Sequence, residues 1–243
     1  SKDFEVIFID NLSKDKTKDI IYQAKLNKFF FYSNKDKGIY DAINRGVKRS
    51  NFKWIWILGS DDSIFNKNTV AELIKEISII KNSNINAIYG TTIFLSTNLP
   101  FNRKFSYDDH FSKSLCQQSI VYKKEALLNQ NLFKIEYQTT SDYEMNLRLI
   151  KKGIDNFKYI DKVLAIYNDR GASYSLKDKK FYKDSLGIRI DNIGSKVSKF
   201  KLLRSFFGRH GIIIFILSHS PTKSLLLIFK VIFLLFKRNK KEA

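Results

Sequence analysis

Short apolar runs alternate with amphipathic segments along the first 90 residues of the chain. β-Prone runs bounded by turn-forming residues predict strands, and apolar positions at helical spacing predict helices. The strands predicted in this way are Phe4–Ile9, Phe29–Tyr32, Trp54–Leu58 and Ala87–Gly90. The helices predicted between them are Asp15–Leu26, Ile39–Val47 and Thr69–Lys81. This alternation predicts an α/β, Rossmann-like fold with a mainly parallel central sheet flanked by helices.

The pattern after residue 90 is less regular. Further strands are predicted at Ser119–Tyr122 and Val163–Tyr167, and a helix at Ser141–Lys152, which Gly153 ends. The third strand of the chain, at 54–58, is apolar throughout, which predicts that both of its faces are buried. Ligands of α/β sheets gather at the carboxyl ends of the strands, so polar residues that follow a strand are candidates for a binding site.

The end of the chain is basic and apolar. The formal net charge is +19, and residues 196–243 supply +10 of it, through eleven Lys or Arg and one acidic residue. The apolar run Leu225–Phe236 is shorter than the about 20 residues that a transmembrane helix needs. Its basic flanks, Lys223 and 237–241, favour a helix lying on anionic lipid, and packing onto the protein is the alternative. We therefore place one domain at 1–175 and a basic helical extension at 176–243.

Composition indicates which cellular compartment the protein occupies and which class of partner is not expected. The single cysteine, Cys116, cannot form an internal disulfide, which is typical of a reducing compartment. The charged first residues do not resemble a secretory signal, so we expect a cytoplasmic protein, peripheral on the inner face of the cell membrane. Nucleic acid is not an expected partner, because the basic charge is concentrated in the extension and no nucleic-acid-binding motif accompanies it.

Carboxylates follow two of the predicted strands. Asp10 follows the first strand, and the pair Asp61 and Asp62 follows the third. Adjacent carboxylates on a turn can bind a hard divalent cation and leave coordination positions for substrate phosphates. Spacing alone supports a helix N-cap at Asp62 or Ser63 at least as well. Asp10 could accept hydrogen bonds from a nucleobase or ribose, or could only stabilise a turn.

Two further acidic positions allow more than one interpretation. Asp142 lies in the first turn of a predicted helix, where a carboxylate favourably meets the helix dipole. The same residue could instead act as a general base that takes a proton from an acceptor hydroxyl. Asp36 and Gly38 stand in a polar stretch that, by itself, is typical of a solvated loop.

The order of these segments resembles the family 2 glycosyltransferases. Residues 5–17 resemble the family's E-V-I-(V)-(V)-D-N-x-S-x-D-x-T stretch, and residues 36–46 resemble the D-x-G-I-Y-D-A-M-N-x-G element of one subgroup. Residues 58–62 fit the subgroup's version of the D-x-D metal motif. Residues 118–148 resemble the acceptor-side segment that contains the catalytic carboxylate. Four ordered motifs are far more specific than any one of them.

The resemblance implies a GT-A fold and a chemistry. It implies inverting transfer from a nucleotide diphosphate sugar, with a UDP-sugar expected, to a hydroxyl of a lipid-linked or polysaccharide acceptor in bacterial surface glycan synthesis. It implies Mn²⁺ or Mg²⁺ as cofactor, held by Asp62 and Asp61, and Asp142 as the base. The donor site that it implies consists of Asp10, Asp36, Gly38, Asp41, Asn44 and Asp61.

Family members normally begin with another strand and helix, which carry part of the nucleotide site and precede the first matching stretch. From this we expect the domain at 1–175 to be N-terminally incomplete. A second interpretation is therefore a catalytically impaired remnant or a nucleotide-sugar-binding module.

Overall fold

The structure is a computed structural model that describes residues 3–80, 84–101, 103–171, 176–208 and 212–236. Lys81, the basic run at 237–241 and the proposed boundary at residue 175 lie outside these ranges. The strands are β1 Val6–Asp10, β2 Phe29–Ser33, β3 Trp54–Trp56, β4 Ser63–Ile64, β5 Ala87–Phe94, β6 Pro100–Phe101, β7 Ile120–Lys123 and β8 Phe157–Tyr167. The helices of the first 150 residues are α1 Thr17–Gln23, α2 Ile39–Arg49, α3 Thr69–Ser78, α4 Tyr107–Ser112, α5 Lys124–Asn129 and α6 Ser141–Ile150. Those that follow are α7 Lys179–Ile193, α8 Lys199–Phe207, α9 Ile212–Ser218 and α10 Pro221–Phe236.

The elements predicted from the apolar pattern are present, with shifted ends. Helix α1 is shorter than predicted because Asp15 accepts a hydrogen bond from the Thr17 amide (3.0 Å) and Lys25 adopts a left-handed φ of 47°. Strand β5 runs past Gly90, where its pairing with β8 is irregular. A Cβ at Gly90 would overlap the Lys162 carbonyl oxygen, so the glycine permits a bulge rather than ending the strand.

The sheet pairing differs from the mainly parallel sheet that the alternation predicted. Strands β1 and β2 form a parallel two-stranded sheet, and a six-stranded sheet has the order β3-β7-β5-β8-β4, with β6 beside β5. In the larger sheet only β5 and β8 are parallel, and the other pairs are antiparallel. The predicted α/β class with flanking helices is confirmed, but the sheet is mixed rather than mainly parallel. Strands β4, β6 and β7 each run antiparallel to the strands they pair with.

The six-stranded sheet has a core on each face. Alternate residues of β5 divide between them: Tyr89 joins the larger core and Ile88 the smaller one. The smaller core packs against α3 through Leu73. Strand β3 contacts both cores but is only partly buried, which corrects the prediction of full burial, because β3 is the edge strand of the six-stranded sheet.

The helices of the extension pack on the rest of the chain. Phe181 of α7, Leu202 of α8 and Leu227 of α10 belong to the same core as Leu147 of α6. Lys230 of α10 forms an ion pair with Asp191 of α7. In the part of the chain that the structure describes, no helix has the length and apolar character needed to cross a membrane.

Candidate active site

Asp10 lies at the carboxyl end of β1, where hydrogen bonds hold its side chain. Its carboxylate accepts from the Ser13 amide (3.1 Å) and from the Ser33 hydroxyl (2.5 Å). Hydrogen bonds from Ser13 and then Ser33 lower the pKa of Asp10, so this carboxyl is charged at neutral pH. The adjacent Asn11 accepts from the Asp36 amide at 2.9 Å, which brings the loops after β1 and β2 together.

The start of α2 is organised by the side chains that follow Asp36. Asp36 accepts from the Gly38 amide (2.9 Å), and Gly38 adopts φ of 116°, a conformation that favours glycine. Asp41 accepts from the Lys37 amide (2.9 Å) and pairs with Arg45 (2.7 Å). In this structure Asp41 therefore stabilises the first turn of the helix.

Asn44 bonds to protein backbone. Its side chain donates to the Phe133 carbonyl (2.8 Å) and accepts from the Phe133 amide (3.0 Å). The contribution of Asn44 is thus to fix the segment around Phe133 against α2. The resemblance assigned Asn44 to the donor site, and the structure connects it to that site only through α2.

Replacing Asn44 by Ala should lower the free energy of unfolding by about 2 kcal/mol, because the amide and carbonyl of buried Phe133 lose their partners. Urea unfolding followed by circular dichroism measures the difference. The matched control is Asn129→Ala at an exposed position, for which we expect a change below about 0.5 kcal/mol. Equal losses in the two variants would contradict the structural role of Asn44.

The pair Asp61 and Asp62 lies on the turn that follows β3. Asp62 is half-buried and accepts from the Gly59 amide (2.9 Å) and from the Asn168 amide (3.2 Å). Asp61 is exposed, and its Oδ2 accepts from the Asn168 side chain at 3.2 Å. Helix α3 begins only at Thr69 after an Asn68 cap, so the helix-cap alternative for Asp62 and Ser63 is wrong.

Burial and hydrogen bonds have opposite effects on the pKa of Asp62. Desolvation raises the pKa of its carboxyl, while hydrogen bonds from Gln118, Gly59 and Asn168 oppose that rise. Gln118 is itself held, since its side-chain oxygen accepts from the Cys116 thiol (3.0 Å) and its carbonyl accepts from the Trp56 indole (2.7 Å). Burial also raises the pKa of Cys116 to about 12, so this thiol stays protonated.

A divalent cation fits the chemistry of this turn. Asp61 and Asp62 offer hard carboxylate oxygens side by side, and each oxygen that accepts one hydrogen bond keeps a second lone pair. No group of three or more His, Cys, Asp or Glu side chains that could hold a metal is found within the described ranges. Mg²⁺-type sites commonly use one or two carboxylates and complete their coordination with substrate phosphates and water. A Cβ at Gly171 would lie 2.6 Å from Asp61 Oδ2, so the glycine keeps space beside this carboxylate.

Asp142 lies at the start of α6. Its Oδ1 accepts a hydrogen bond from the Tyr40 hydroxyl at 2.8 Å. Burial raises the pKa of Asp142 to about 6, and hydrogen bonds from the Tyr40 hydroxyl and then from the Tyr143 and Asp142 backbone amides oppose that rise. A carboxylate with such a pKa is charged at neutral pH yet basic enough to take a proton. Burial and, to a smaller extent, the charges of Asp142 and Asp62 raise the pKa of the Cys116 thiol, so both carboxylates act on the same buried side chain.

Three residues of this site were not predicted from the sequence: Tyr40, Gln118 and Asn168. Tyr40 and Gln118 lie within the matching motifs, but nothing in their spacing shows that they contact carboxylates. Asn168 directly follows β8, so the strand-end criterion that identified Asp10 and Asp61 would also have found it.

The family model and the known proteins that this sequence matches are all described as glycosyltransferases. The family model described as Glycosyl transferase family 2 matches residues 1–90. A "PGL/p-HBAD biosynthesis glycosyltransferase" of Mycobacterium bovis is 31% identical over 198 residues, which cover 77% of each chain. A Methanococcus voltae protein is 24% identical over 213 residues, 78% of this chain and 65% of that protein. Its name is "Dolichyl N-acetyl-alpha-D-glucosaminyl phosphate 3-beta-D-2,3-diacetamido-2,3-dideoxy-beta-D-glucuronosyltransferase".

Solved structures share the fold at low sequence identity. S. aureus TarS in complex with UDP-GlcNAc has a TM-score of 0.64 at 16% identity, covering 96% of this chain and 73% of that one. TarS in complex with UDP has a TM-score of 0.59, and this chain spans 66% of its length. The mannosyltransferase PcManGT of Pyrobaculum calidifontis, with GDP-Man and Mn²⁺, has a TM-score of 0.53 at 11% identity, and 60% of its length is covered.

Proposed function

The chain belongs to glycosyl transferase family 2, and on that premise we propose that it transfers a sugar, with inversion, from a nucleotide diphosphate sugar to a hydroxyl group. Its fold is the GT-A fold, with a curled mixed sheet and flanking helices. We propose residues 1–175 as the catalytic part. The observation that carries the proposal is Asp142, a half-buried carboxylate whose pKa of about 6 suits a general base.

The proposed reaction is a single displacement. One carboxylate oxygen of Asp142 takes the proton of the acceptor hydroxyl while the hydroxyl oxygen of the acceptor attacks the anomeric carbon. The bond from that carbon to the diphosphate breaks, and the nucleoside diphosphate leaves with the bonding electron pair. The site must therefore hold the acceptor hydroxyl and the leaving diphosphate on opposite sides of the anomeric carbon.

The leaving diphosphate carries charge that must be neutralised. We propose that Asp61 and Asp62 hold Mn²⁺ or Mg²⁺, which would stabilise this charge as a Lewis acid. Gly59, Gln118 and Asn168 orient Asp62 through their hydrogen bonds. PcManGT, which shares the fold, was solved with Mn²⁺, and this supports the proposal by analogy.

For the donor we propose a UDP-sugar. The TarS structures were solved with UDP and with UDP-GlcNAc, and they share the fold of this chain. Asp10 ends β1 and Asp36 lies on the loop after β2, and the Asn11 side chain joins these two strand ends, where a base or ribose would bind. Gly38 and Asp41 would shape the same site by setting the start of α2.

The experiment that tests this function measures UDP released from UDP-Glc, UDP-Gal and UDP-GlcNAc with Mn²⁺ and a polar lipid extract of bacterial membranes. We expect release from one of the donors above the rate without lipid. Isothermal titration with UDP and Mn²⁺ is run in parallel. UDP binding without release from any donor would favour the alternative, a nucleotide-sugar-binding module, and absence of both would contradict the proposal.

For the acceptor we propose a lipid-linked glycan at the inner face of the cell membrane. The name of the Methanococcus voltae relative contains a dolichyl phosphate-linked sugar. Helices α8, α9 and α10 supply a second reason, because each has one packed face and one exposed apolar face. On α10, Ser224, Leu227 and Val231 are buried, whereas Leu225, Phe229, Ile232 and Phe236 form an exposed stripe at helical spacing.

The same division recurs on the two helices before α10. On α8, Leu202 and Phe206 are buried, while Phe200 and Phe207 are 73% and 71% exposed. On α9, Ile213 and Leu217 are exposed on the side away from buried Phe215. Packing onto the protein therefore accounts for one face of these helices only, and the other face presents an apolar surface.

Charge selects lipid over a second copy of the chain as the occupant of this surface. Between residues 196 and 236 the sequence has seven Lys or Arg and no acidic residue. Two such surfaces would repel one another, whereas anionic lipid head groups would attract each of them. Helix α10 has 16 residues, about 24 Å long, so it would lie along the interface.

Flotation with liposomes tests membrane binding. We expect the full chain to float with vesicles that contain anionic phosphatidylglycerol and to stay at the bottom with neutral phosphatidylcholine vesicles. Replacing both Phe229 and Phe233 by Asp should lower the bound fraction at least about tenfold, because two exposed apolar side chains no longer enter the lipid.

The matched control replaces Leu95 and Leu99, two exposed leucines beside the β5–β6 turn, by Asp. We expect this variant to float like the wild type. Flotation that is equal for all three proteins would contradict the assignment of this surface. Size-exclusion chromatography separates the alternative occupant: a dimer that Phe229 and Phe233 substitutions dissociate would also contradict lipid binding.

A further inference from the structure

Tyr40 is a buried tyrosine whose hydroxyl reaches the proposed base. The side chain is 5% exposed and lies in the first turn of α2. Its hydroxyl donates to Asp142 Oδ1 at 2.8 Å. Its ring stacks on Phe133, with 5.8 Å between the centroids and 19° between the planes. The phenol is therefore held by its ring on one side and by its hydroxyl on the other.

The stacking partner of Tyr40 is also fixed. Asn44, one helical turn further along α2, makes both hydrogen bonds to the Phe133 backbone. Arg148 of α6 donates to the Leu132 carbonyl at 2.9 Å. The segment around Phe133 is thus tied to α2 and to α6, the two helices that carry Tyr40 and Asp142. This arrangement sets the distance between the phenol and the carboxylate.

Three titratable groups near Asp142 are uncharged at neutral pH. Besides Tyr40 from α2, these are Tyr122 from β7 and Cys116, which the Asp142 charge also affects. Burial is the main cause that raises the pKa of each of these three groups. Neither these three groups nor Asp62, whose charge also acts on Cys116, supplies a positive charge. Hydrogen bonds from the Tyr40 hydroxyl and from the Tyr143 and Asp142 backbone amides therefore favour the charged form of Asp142, with Tyr40 the largest of these contributions.

We propose, resting on the function proposed above, that Tyr40 is the positioning residue of Asp142: its hydroxyl occupies Oδ1, leaves Oδ2 for the acceptor hydroxyl, and favours the charged carboxylate. One oxygen engaged by a fixed donor gives the carboxylate a defined orientation. The second oxygen then meets the acceptor in a single geometry, which is what efficient proton transfer requires. Tyr40 itself takes no proton from the substrate.

Removing the hydroxyl with Tyr40→Phe tests this role. The hydrogen bond favours the charged carboxylate, so its loss should raise the pKa of Asp142 from about 6 by about one pH unit. A carboxyl ¹³C NMR titration measures this, with the Asp142 signal identified by its absence in Asp142→Asn. The acid side of the pH profile of UDP release should move upward equally, because the base works only when deprotonated. An unchanged NMR midpoint would overturn the proposal.

The control is Tyr89→Phe, which removes another buried hydroxyl, one that accepts from the Phe105 amide at 2.9 Å. We expect it to leave the Asp142 midpoint unchanged, and a shift equal to that of Tyr40→Phe would overturn the proposal. The NMR readout needs no turnover, so it separates failure of this role from failure of the glycosyltransferase function. If Tyr40→Phe does not fold, 3-fluorotyrosine labelling gives a second measurement: the more acidic phenol should lower the midpoint, and no change refutes the role.

Discussion

Replacing Asp142 by Asn should reduce the rate of sugar transfer about 10³-fold, the range that a general base contributes. Asn keeps an oxygen that can accept the Tyr40 hydrogen bond, so the local structure should survive, while the group that takes the proton is lost. UDP binding should stay within about a factor of two, because the base acts on the acceptor rather than on the nucleotide. UDP release under saturating donor measures the first effect, and isothermal titration the second.

The control for this variant is Asp155→Asn, at a position in the short 3₁₀ segment after α6. It removes one carboxylate charge without touching the site, and we expect near wild-type transfer. Transfer by Asp142→Asn within tenfold of the wild type would refute its assignment as the base. Loss of UDP binding together with transfer would instead place Asp142 on the donor side.

Replacing Asp62 by Asn should weaken Mn²⁺-dependent UDP binding about a hundredfold, because a metal clamp on phosphates contributes several kcal/mol. The Gly59 and Asn168 amides donate to different oxygens of Asp62, so Asn, which has one oxygen, keeps only one of these two hydrogen bonds. Titration of UDP in the presence and absence of Mn²⁺ isolates the metal-dependent part of the affinity. The lost hydrogen bond should lower the free energy of unfolding by about 1 kcal/mol, which a thermal unfolding scan measures separately from UDP affinity.

Asp61→Asn is the variant to compare with Asp62→Asn. Asp61 is exposed and accepts only from the Asn168 side chain among the hydrogen bonds described above, so we expect a smaller loss than for Asp62. A larger loss for Asp61→Asn would reverse the order of the two ligands. Identical UDP affinity of wild type and Asp62→Asn with Mn²⁺ would refute the metal site.

The apolar pattern of the sequence predicted the longer strands and helices, because each depends on residues close together in the chain, but it missed the short elements β4, β6 and α4. Strand order was not predictable in the same way. Nothing in the short segment Ile120–Lys123 indicates that β7 would enter antiparallel between β3 and β5. Gly90 shows a related limit: a glycine predicts a strand end or a bulge equally, and only the approach of Lys162 distinguishes them.

In the candidate site, too, some residues could be predicted from the sequence and others could not. Carboxylates at strand ends and the ordered motifs led to Asp10, Asp62 and Asp142. The supporting contacts could not be predicted, since Tyr40 and Asp142 are 102 positions apart in the chain. The role of Asn44 was also hidden, because an amide that binds backbone and one that binds a ligand look alike in a sequence.

The single cysteine of the chain has a practical consequence for the experiments above. Cys116 is 9% exposed, and burial holds its thiol protonated. The thiolate is the form of cysteine that attacks maleimides, so these reagents should label a cysteine introduced on the apolar face of α10 and spare the native one. Fluorescent or spin probes can therefore be placed on that face, to report its depth in a bilayer, without first removing a side chain that supports Gln118.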